Sequence, residues 1–528
     1  MQPQTISDEK PFAEADAKFE EIKVRLGSGT SQALSHSELE DLLTTEGREV
    51  VRLLYQGHLD LRGPGEVDAR VVGSDRIARV PGRIHERKLQ TVFGTVEVCR
   101  RSYAAVGTSS VYPLDANLNL PLERYSHGMR RNVAEEIRKA SFDETVDAVA
   151  RITGEPIPKR QVEQLTIRAA QDFDAFYETR RAASAKDVAK TGDIVVITSD
   201  GKGVPMHTED LRPATKKAAE KKTAETASEK PFLLGTPKSS EKARDRKRMA
   251  TVAAVYTIAA FFRTPEDIVR ELNRLQVVEG EAARKRPKPE KKRVWASLEK
   301  TPQEVLAAAF SEALRRDPQR EKLWAALVDG NETQLSVLLA LEREHHLTIT
   351  IIVDFIHVAG YVWKAAHAFN PKGSKEAEHW VRERLLEILR GRSSHVAAGM
   401  RRSATLKKLS AKDREPIDDC ADYLLKYRAF LRYDEYLAAG LPIATGVIEG
   451  ACRHLVKDRM EISGAVWGLA SAEAVLKLRA LHASGDFDGY WSFHKDKEFG
   501  RNHASRYANA WPPPIKNTMR RAHLRLAT

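Results

Sequence analysis

Four runs of consecutive apolar and β-branched residues lie between Asp193 and Phe355, and they constrain the fold more than any other feature. They read DIVVITSD, MATVAAVYTIAAFF, KLWAALVDG and LTITIIVDF. Unbroken apolar runs of this kind are typical of strands that are buried on both faces. Helical patterns such as TPEDIVRELNRL and NETQLSVLLALEREHH separate several of the runs. This alternation predicts an α/β domain with a mixed or parallel sheet whose faces are covered.

Three of these runs end on an aspartate, namely Asp200, Asp329 and Asp354. An acid at the C-terminal end of a buried strand lies at the edge of the sheet, where open α/β folds place their sites. Burial disfavours a charged carboxylate unless a cation is present, and Mg²⁺ prefers hard oxygen ligands. Turn or capping chemistry explains one such acid, whereas three in one region indicate a site.

The first of these acids is followed by two glycines and a lysine in SDGKGV. The glycines predict a sharp turn of the backbone directly after the strand, and Lys202 is a candidate for a phosphate contact. His357 follows Asp354 by three residues in DFIH. Spacing alone makes Asp329 and Asp354 equal candidates for the second metal ligand.

A fourth acid, Glu449, lies in the apolar first turn of a helix that opens near Thr445 in TGVIEGACRHLVKDRM. Helical spacing places four residues on its side of the helix: Cys452, Arg453, Val456 and Lys457. The helix macrodipole alone favours an acid at this position. The basic residues along the segment, which include Arg459, favour an interface between a metal, a phosphate and DNA.

Composition favours a polyanionic partner. The 528 residues correspond to three or four domains at about 150 residues each, and the net charge is +12 with a pI near 9.4. Nucleic acid is the first candidate for such a partner and an anionic membrane the second. Two basic segments, 209–248 and 280–293, interrupt the α/β region. They are expected to be solvated loops that also grip phosphates.

Several classes of chemistry and location are excluded by what the chain does not contain. There is no G-x-S-x-G elbow, no phosphate-binding P-loop and no H-E-x-x-H motif. Cys99, Cys420 and Cys452 are far apart and lack zinc-site spacing, so we expect reduced thiols in a cytoplasmic protein. The first twenty residues are polar and acidic, unlike a signal peptide. No apolar run reaches the ~18 residues that a membrane span needs.

The segment SFDETVDAVARITGEPIPKRQVEQLTIRAAQDF predicts two helices around a Gly-Glu-Pro-Ile-Pro break. It is either a helix-turn-helix that reads DNA, with Lys159, Arg160 and Arg168 on or near the second helix, or an ordinary helical hairpin. The pattern of apolar residues along the chain predicts seven regions: helical 1–62, β-rich 63–122, helical 123–185, α/β 191–370, helical 371–440, the Glu449 helix within 441–483, and a tail 484–528.

Several motifs together resemble a known family. SDGKGV, VDGNE, DFIHVAGYVWKAA and PIATGVIEGACRHLVKDRMEISGAVWGLASAEAVLKLRAL are similar to segments of the ISKra-type insertion-sequence transposases, which are related to the Mutator-like group of DDE transposases. The resemblance covers about residues 90–505, and the Glu449 segment is its longest continuous part.

The resemblance implies an RNase H-like catalytic core with an all-helical insertion, preceded by helical and small β DNA-binding regions. The family acids would be Asp200 on the first strand, Asp329 after the fourth strand, which neighbours the first, and Glu449. They would hold two Mg²⁺ or Mn²⁺ ions that serve DNA cleavage and then strand transfer by the freed 3′-OH. Asp354 and His357 would support them.

The same resemblance implies the partners and the setting. The partners would be double-stranded DNA, as terminal inverted repeats and target, and a second copy of the chain in the synaptic complex. The setting would be the bacterial nucleoid. Two other functions remain open at this point: an RNase H-like nuclease or resolvase without strand transfer, and a domesticated DNA-bound regulator.

Overall fold

The computed structural model describes residues 11–68, 70–182, 191–217, 220, 246–272 and 285–516. The chain divides into two compact units, and the second is inserted in the first. One unit comprises Met1–Phe176 and Phe487–Thr528, and the other comprises Tyr177–Asp486. Most of the predicted basic segment 209–248 and the first five residues of 280–293 lie outside the described residues.

The first unit contains helices and a three-stranded antiparallel sheet of order β1-β2-β3. Up to the boundary its elements are α1 (Ala13–Leu26), α2 (Gly29–Gln32), α3 (His36–Arg62), β1 (Val71–Val72), β2 (Ala78–Thr91), β3 (Gly94–Ala104), α4 (Pro113–Asn117), α5 (His127–Ile137), α6 (Phe142–Thr153) and α7 (Lys159–Ala170), and α8 (Phe173–Ala182) contains the boundary.

Local sequence signals explain where these elements begin and end. Gly94 begins β3 directly after the two-residue turn that joins it to β2: it has φ 126° and pairs with Thr91. The predicted pair of helices is confirmed as α6 and α7. A capping box of Ser141 and Glu144 starts α6, and Gly154 ends it in the left-handed conformation.

The second unit is the α/β unit. Its elements are β4 (Ile194–Pro205), β5 (Lys247–Ile258), α9 (Pro265–Leu272), β6 (Glu290–Ser297), α10 (Pro302–Arg316), β7 (Leu323–Val328), α11 (Glu332–His345), β8 (Thr350–Val353), α12 (Phe355–Phe369), α13 (Lys375–Leu389), α14 (Ser393–Leu406), α15 (Ala411–Lys426), α16 (Tyr433–Ala438), α17 (Gly446–Ala451), a π-helical segment Cys452–Lys457, a helical turn Asp458–Met460 and α18 (Leu469–Ala483). The final helix, α19 (Phe487–Asn502), belongs to the first unit.

The five-stranded sheet of the second unit has the order β6-β5-β4-β7-β8. The strands β6, β5 and β4 pair antiparallel, whereas β4, β7 and β8 pair parallel, so the sheet is mixed, which is one of the two predicted arrangements. The residues Ile194 to Ser199 are all buried. Burial of consecutive residues means that both faces of β4 are covered, which is why its sequence is an unbroken apolar run.

Two local predictions are wrong. The strand β4 does not end at Asp200 but continues to Pro205, and Gly201 and Gly203 pair with Thr251 and Met249 of β5 instead of forming a turn. The end of the basic segment 280–293 is not a loop, because Glu290–Ser297 forms the edge strand β6. Lysines are common on edge strands because they discourage pairing with other chains, and the basic composition hid this strand.

The residues predicted as a C-terminal tail contain α19, which completes a buried polar network of the first unit. Arg130 of α5 is fully buried and forms ion pairs with Glu498 of α19, at 2.9 Å, and with Glu123. Its guanidinium also lies 2.8 Å from His494. Burial pushes the pKa of Glu498 up, but the Arg130 charge and hydrogen bond outweigh it and hold the pKa below its usual value.

None of the helices within the described ranges combines the length and the apolar character that crossing a bilayer requires.

The Arg130 network yields a stability prediction. Replacing Arg130 with Met leaves the Glu123 and Glu498 carboxylates without their buried partner, and we expect a loss of about 3–5 kcal/mol in the free energy of unfolding. Urea denaturation followed by circular dichroism measures it. The neighbouring Arg131, whose side chain is 40% exposed, provides the control: Arg131→Met should cost less than about 1 kcal/mol. Equal losses in the two variants would contradict the assignment.

Candidate functional site

Three acids lie in line across the three parallel strands of the five-stranded sheet, two of them at strand ends and one, Asp200, within β4. Asp200 lies two residues beyond the last pair of β4 with β7, which is Thr198 with Leu327. Asp329 follows β7 directly and Asp354 follows β8 directly. Because paired strands lie about 4.8 Å apart, the register places the three backbones in a row across β4, β7 and β8. We call this row the acidic edge.

Glu449 of α17 extends the acidic edge. Partial burial and the negative charges of Asp354 and Asp200 raise the pKa of Glu449 above its usual value, and His357 opposes this rise. Of the acids that the resemblance implies, Asp200 is thus an electrostatic neighbour of Glu449, and Asp354 and His357 are its other neighbours. His357 is exposed on the first turn of α12.

Asp354 is the most enclosed acid of the group, with 2% of its surface exposed. Its Oδ1 accepts a hydrogen bond from the Ile356 amide at 2.9 Å, which caps α12, and its Oδ2 accepts one from the Thr445 hydroxyl. Burial raises the pKa of Asp354, and these hydrogen bonds only partly offset it. Because Thr445 immediately precedes α17, this contact ties the helix of Glu449 to the end of β8.

Asp329 is held by the helical region that follows the sheet. The hydroxyl of Tyr423, on α15, donates to the Asp329 carbonyl at 2.9 Å, and that of Tyr427 donates to the Gly330 carbonyl at 2.5 Å. Gly330 has φ 93°, and a Cβ there would lie 3.0 Å from the Tyr423 hydroxyl, so only glycine fits. The Asp329 Oδ1 accepts from the Asn331 amide at 2.9 Å.

Sequence reasoning missed the two tyrosines. Their i and i+4 spacing in YLLKY is visible in the chain, but Tyr423 lies 94 residues from the carbonyl that it contacts. Only the folded helical region brings it there.

Cys452 lies against Asp200. Its thiol donates to Asp200 Oδ2 at 3.2 Å, and burial together with the Asp200 charge raises the pKa of the thiol. The predicted helix does continue past Glu449, but as the π-helical segment Cys452–Lys457. Such segments are rare and occur frequently at functional sites. Cys452 thus stays in its protonated form beside the carboxylate of Asp200.

Three lysines surround one carboxylate beside the acidic edge. Lys247 donates to Glu461 at 3.0 Å, and the Lys202 ammonium lies 3.9 Å from the same oxygen. Burial pushes the pKa of Glu461 up, but Lys247, Lys202 and Lys457 outweigh it and hold the pKa below its usual value. We call Lys202, Lys247 and Lys457 the lysine cluster. It brings two of the predicted phosphate contacts, Lys202 and Lys457, to one place.

The two predicted arginines of this segment behave differently. Arg453 is exposed and lies 3.8 Å from Asp458. Arg459 is only 4% exposed, and its guanidinium lies over the ring of Trp467 at 4.7 Å. Arg459 is therefore packed inside the unit, and its prediction as a DNA contact is not supported by its position.

The predicted DNA-reading residues of the first unit lie on the second helix of the predicted pair, α7. Lys159 and Arg160 are exposed in its first turn. Lys159 forms an ion pair with Asp143 at 2.7 Å, and Arg168 forms one with Glu123 at 3.0 Å. Arg160 is the most available of the three for a phosphate.

The acidic edge and Glu449 offer the type of donor that a divalent metal prefers, but their side chains are not gathered around one point. Within the described ranges, no three His, Cys, Asp or Glu side chains are gathered as a metal-binding group. The available donors are carboxylate oxygens, which Mg²⁺ and Mn²⁺ prefer. The raised pKa values of Glu449 and Asp354 reflect burial and, for Glu449, carboxylate repulsion. A bound cation relieves such repulsion.

Comparison with known proteins assigns no family: no protein-family model matches the chain, and no curated protein sequence matches it significantly.

The repulsion at the acidic edge yields a second prediction. In metal-free buffer with chelator, Glu449→Gln should raise the melting temperature by about 1–2 °C, because it removes one of the repelling charges and solvent screens the rest. Differential scanning calorimetry measures the difference. Mg²⁺ should then raise the melting temperature of the wild type more than that of the variant.

The matched control is Glu415→Gln, on an exposed position of α15, which should change neither value. A Mg²⁺ response that is the same in wild type and Glu449→Gln would exclude Glu449 as a ligand.

Proposed function

We propose that this chain is a DNA transposase of the DDE kind, which cleaves a DNA strand at the ends of an insertion sequence and joins it to target DNA. The observation that carries the proposal is the electrostatic coupling of Asp200, Asp354 and Glu449 at the carboxyl edge of a mixed sheet. These acids come from three separate parts of the chain. Their convergence is unfavourable without a cation, and this is the expected signature of a functional site.

The topology supports an RNase H-like core. The strand after α10, β7, is the fourth of the sheet in chain order and pairs with the first, β4. The resemblance requires this neighbour relation for its second acid. The helices α12 to α16 lie between β8 and α17, and α13 to α16 fall where a helical insertion is expected before the family glutamate.

The proposed metal ions would be held by Asp200, Glu449 and one of Asp329 and Asp354, and when bound they would supply an activated nucleophile and a stabilised leaving oxygen. The remaining work belongs to the chain itself. The lysine cluster is in position to hold DNA phosphates beside the acids. Exposed His357 is available to contact the scissile phosphate or to orient a ligand.

The two candidates for the second ligand differ in what their oxygens already do. Both oxygens of Asp354 accept hydrogen bonds within the protein. Asp329 uses only Oδ1 in this way among the described contacts. Asp329 therefore has an oxygen left for a metal ion among the described contacts, in agreement with the family resemblance. Asp354, in contrast, has the stronger electrostatic contact with Glu449. We favour Asp329 as the ligand and Asp354 as the residue that positions Thr445 and α17.

The proposed transposase activity implies the partners of the chain. The first unit, with exposed Lys159 and Arg160, would recognise terminal inverted repeats, and two copies of the chain would meet in the synaptic complex. The proposed location is the bacterial nucleoid. The net charge of +12 supports binding to double-stranded DNA.

Cleavage and strand transfer test the proposal directly. Purified chain incubated with the terminal DNA of its own element and Mg²⁺ should give nicked and joined products, resolved on denaturing gels. We expect Asp200→Asn and Asp329→Asn to lower the rate at least about 10³-fold, since each removes a ligand charge. Asp354→Asn should retain part of the activity.

The control is Asp193→Asn, an exposed acid at the opposite end of β4, which should leave the rate unchanged. Loss with Asp354→Asn and retention with Asp329→Asn would exchange the two roles. Nicked products without joined ones would indicate a nuclease or resolvase. Intact DNA binding without any products would indicate a DNA-bound regulator.

DNA affinity tests the lysine cluster separately from the chemistry. Lys202→Ala with Lys457→Ala should weaken duplex binding and reduce the slope of log K against log salt by roughly one for each lost contact. Fluorescence anisotropy over a salt series measures both. Glu461→Gln should act in the opposite direction, because it removes the carboxylate that competes for the lysines. Unchanged slopes in all variants would remove the cluster from the interface.

A further inference from the structure

A second charged site lies at the other end of β4. It is a cavity of about 230 Å³ in the α/β unit. Thr191, just before β4, and Thr257, near the end of β5, both line it. Ile194 pairs with Ile258 there, six residues before Asp200, so the cavity and the acidic edge are about 20 Å apart along the strand.

The lining of this cavity is strongly basic. Six cationic side chains face it: Arg180, Lys291, Lys292, Arg293, Arg315 and Arg316. Only two acids do so, Glu312 and Asp486. The difference of six and two leaves a surplus of four positive charges in a confined space. Such a surplus is unfavourable unless an anion is present.

The two acids are already committed to arginines. Glu312 accepts from Arg315 at 2.7 Å, from Arg316 at 2.8 Å and from Arg293 at 3.1 Å. Burial pushes the pKa of Glu312 up, but the Arg315 hydrogen bond and the three arginine charges hold it at about 2. The Glu312 carboxylate thus contacts three guanidinium groups, and its single negative charge balances only one of their three positive charges.

Asp486 is committed in the same way. It accepts from Arg180 at 2.5 Å and from the Tyr177 hydroxyl at 2.9 Å. The two lining lysines, Lys291 and Lys292, are exposed and form no ion pair within the described ranges.

Two buried polar atoms of the lining also lack a partner. Arg316 is 7% exposed and Thr257 is 1% exposed. Within the part of the chain that the structure describes, Arg316 Nη1 and Thr257 Oγ1 have no hydrogen-bond acceptor or donor. A buried donor without a partner is destabilising, and its retention calls for a specific explanation. An oxygen atom of a bound ligand that contacts these two atoms is such an explanation.

We propose that this cavity binds a small phosphate-bearing anion. Guanidinium groups recognise phosphate by paired hydrogen bonds, and donors come from three elements that line the cavity, namely Thr257 of β5, the two lysines of β6 and Arg316 of α10. A phosphate or diphosphate group matches the surplus charge better than a single carboxylate. The volume is below the ~300 Å³ of typical drug-sized sites, so a compact anion fits. The phosphate comes either from a free anion or from a DNA backbone, and the site does not depend on the proposed transposase activity.

Isothermal titration calorimetry of the full chain tests this inference, with inorganic phosphate and diphosphate as probes. We expect diphosphate to bind, and Lys291→Glu with Lys292→Glu to raise its Kd at least about tenfold. The matched control is Lys407→Glu with Lys408→Glu. It is also an adjacent, exposed lysine pair, and Lys408 has φ 51° where Lys291 has φ 48°. The control pair should leave the Kd within about twofold.

Competition with a DNA duplex identifies the source of the phosphate. A duplex that displaces diphosphate indicates a backbone contact, and one that does not indicates a free anion. Absence of phosphate and diphosphate binding to wild type at about 1 mM would overturn the proposal, as would equal weakening by both lysine-pair variants. Asp200→Asn should not affect this binding, so failure here and failure of the transposase proposal are distinguishable.

Discussion

The α/β unit depends on the pairing of β4 with two neighbours of different length. On one side β5 pairs with β4 from Ile194 to Pro205, and on the other β7 pairs with it only as far as Thr198. The burial of Ile194 to Ile197 anchors the strand in the core, while the antiparallel partner supports the part that extends past β7. Asp200 is therefore held in rigid strand geometry and still lies at the open edge of β7 and β8. Rigid presentation of this kind is what a site needs.

Repulsion among the acids is the cost of this arrangement, and the surrounding contacts offset it. The Thr445 hydroxyl and the Ile356 amide stabilise the charge of Asp354, and Tyr423 and Tyr427 fix the backbone at Asp329 and Gly330. The lysine cluster supplies positive charge at the side of the site instead of inside it. These contacts thus keep the acids together in the folded protein, as the proposed metal site requires.

The sequence predicted the strands that are buried on both faces. It missed the edge strand β6 and the part of β4 that extends past β7. The apolar runs of β4, β5, β7 and β8 are unbroken, and this lack of alternation indicates burial on both faces. The strand β6 begins with Glu290 to Arg293, because an edge strand tolerates charge, and composition alone made it look like a loop. The extension of β4 through SDGKGV was missed because glycine is a turn signal unless a neighbouring strand pairs with it. The burial of Arg459 against Trp467 depends on tertiary packing and has no local signal.

The acidic edge and the basic cavity lie at opposite ends of the same strand, and this separation has a physical reason. A surplus of carboxylates and a surplus of guanidinium groups neutralise each other if they are close, as Glu312 does among its three arginines. With about 20 Å between them, which exceeds the Debye length of about 8 Å at physiological salt, each retains its own field. One end of the sheet then favours a cation and the other an anion. A single central strand, through its length and its two different neighbours, keeps the two charged environments apart.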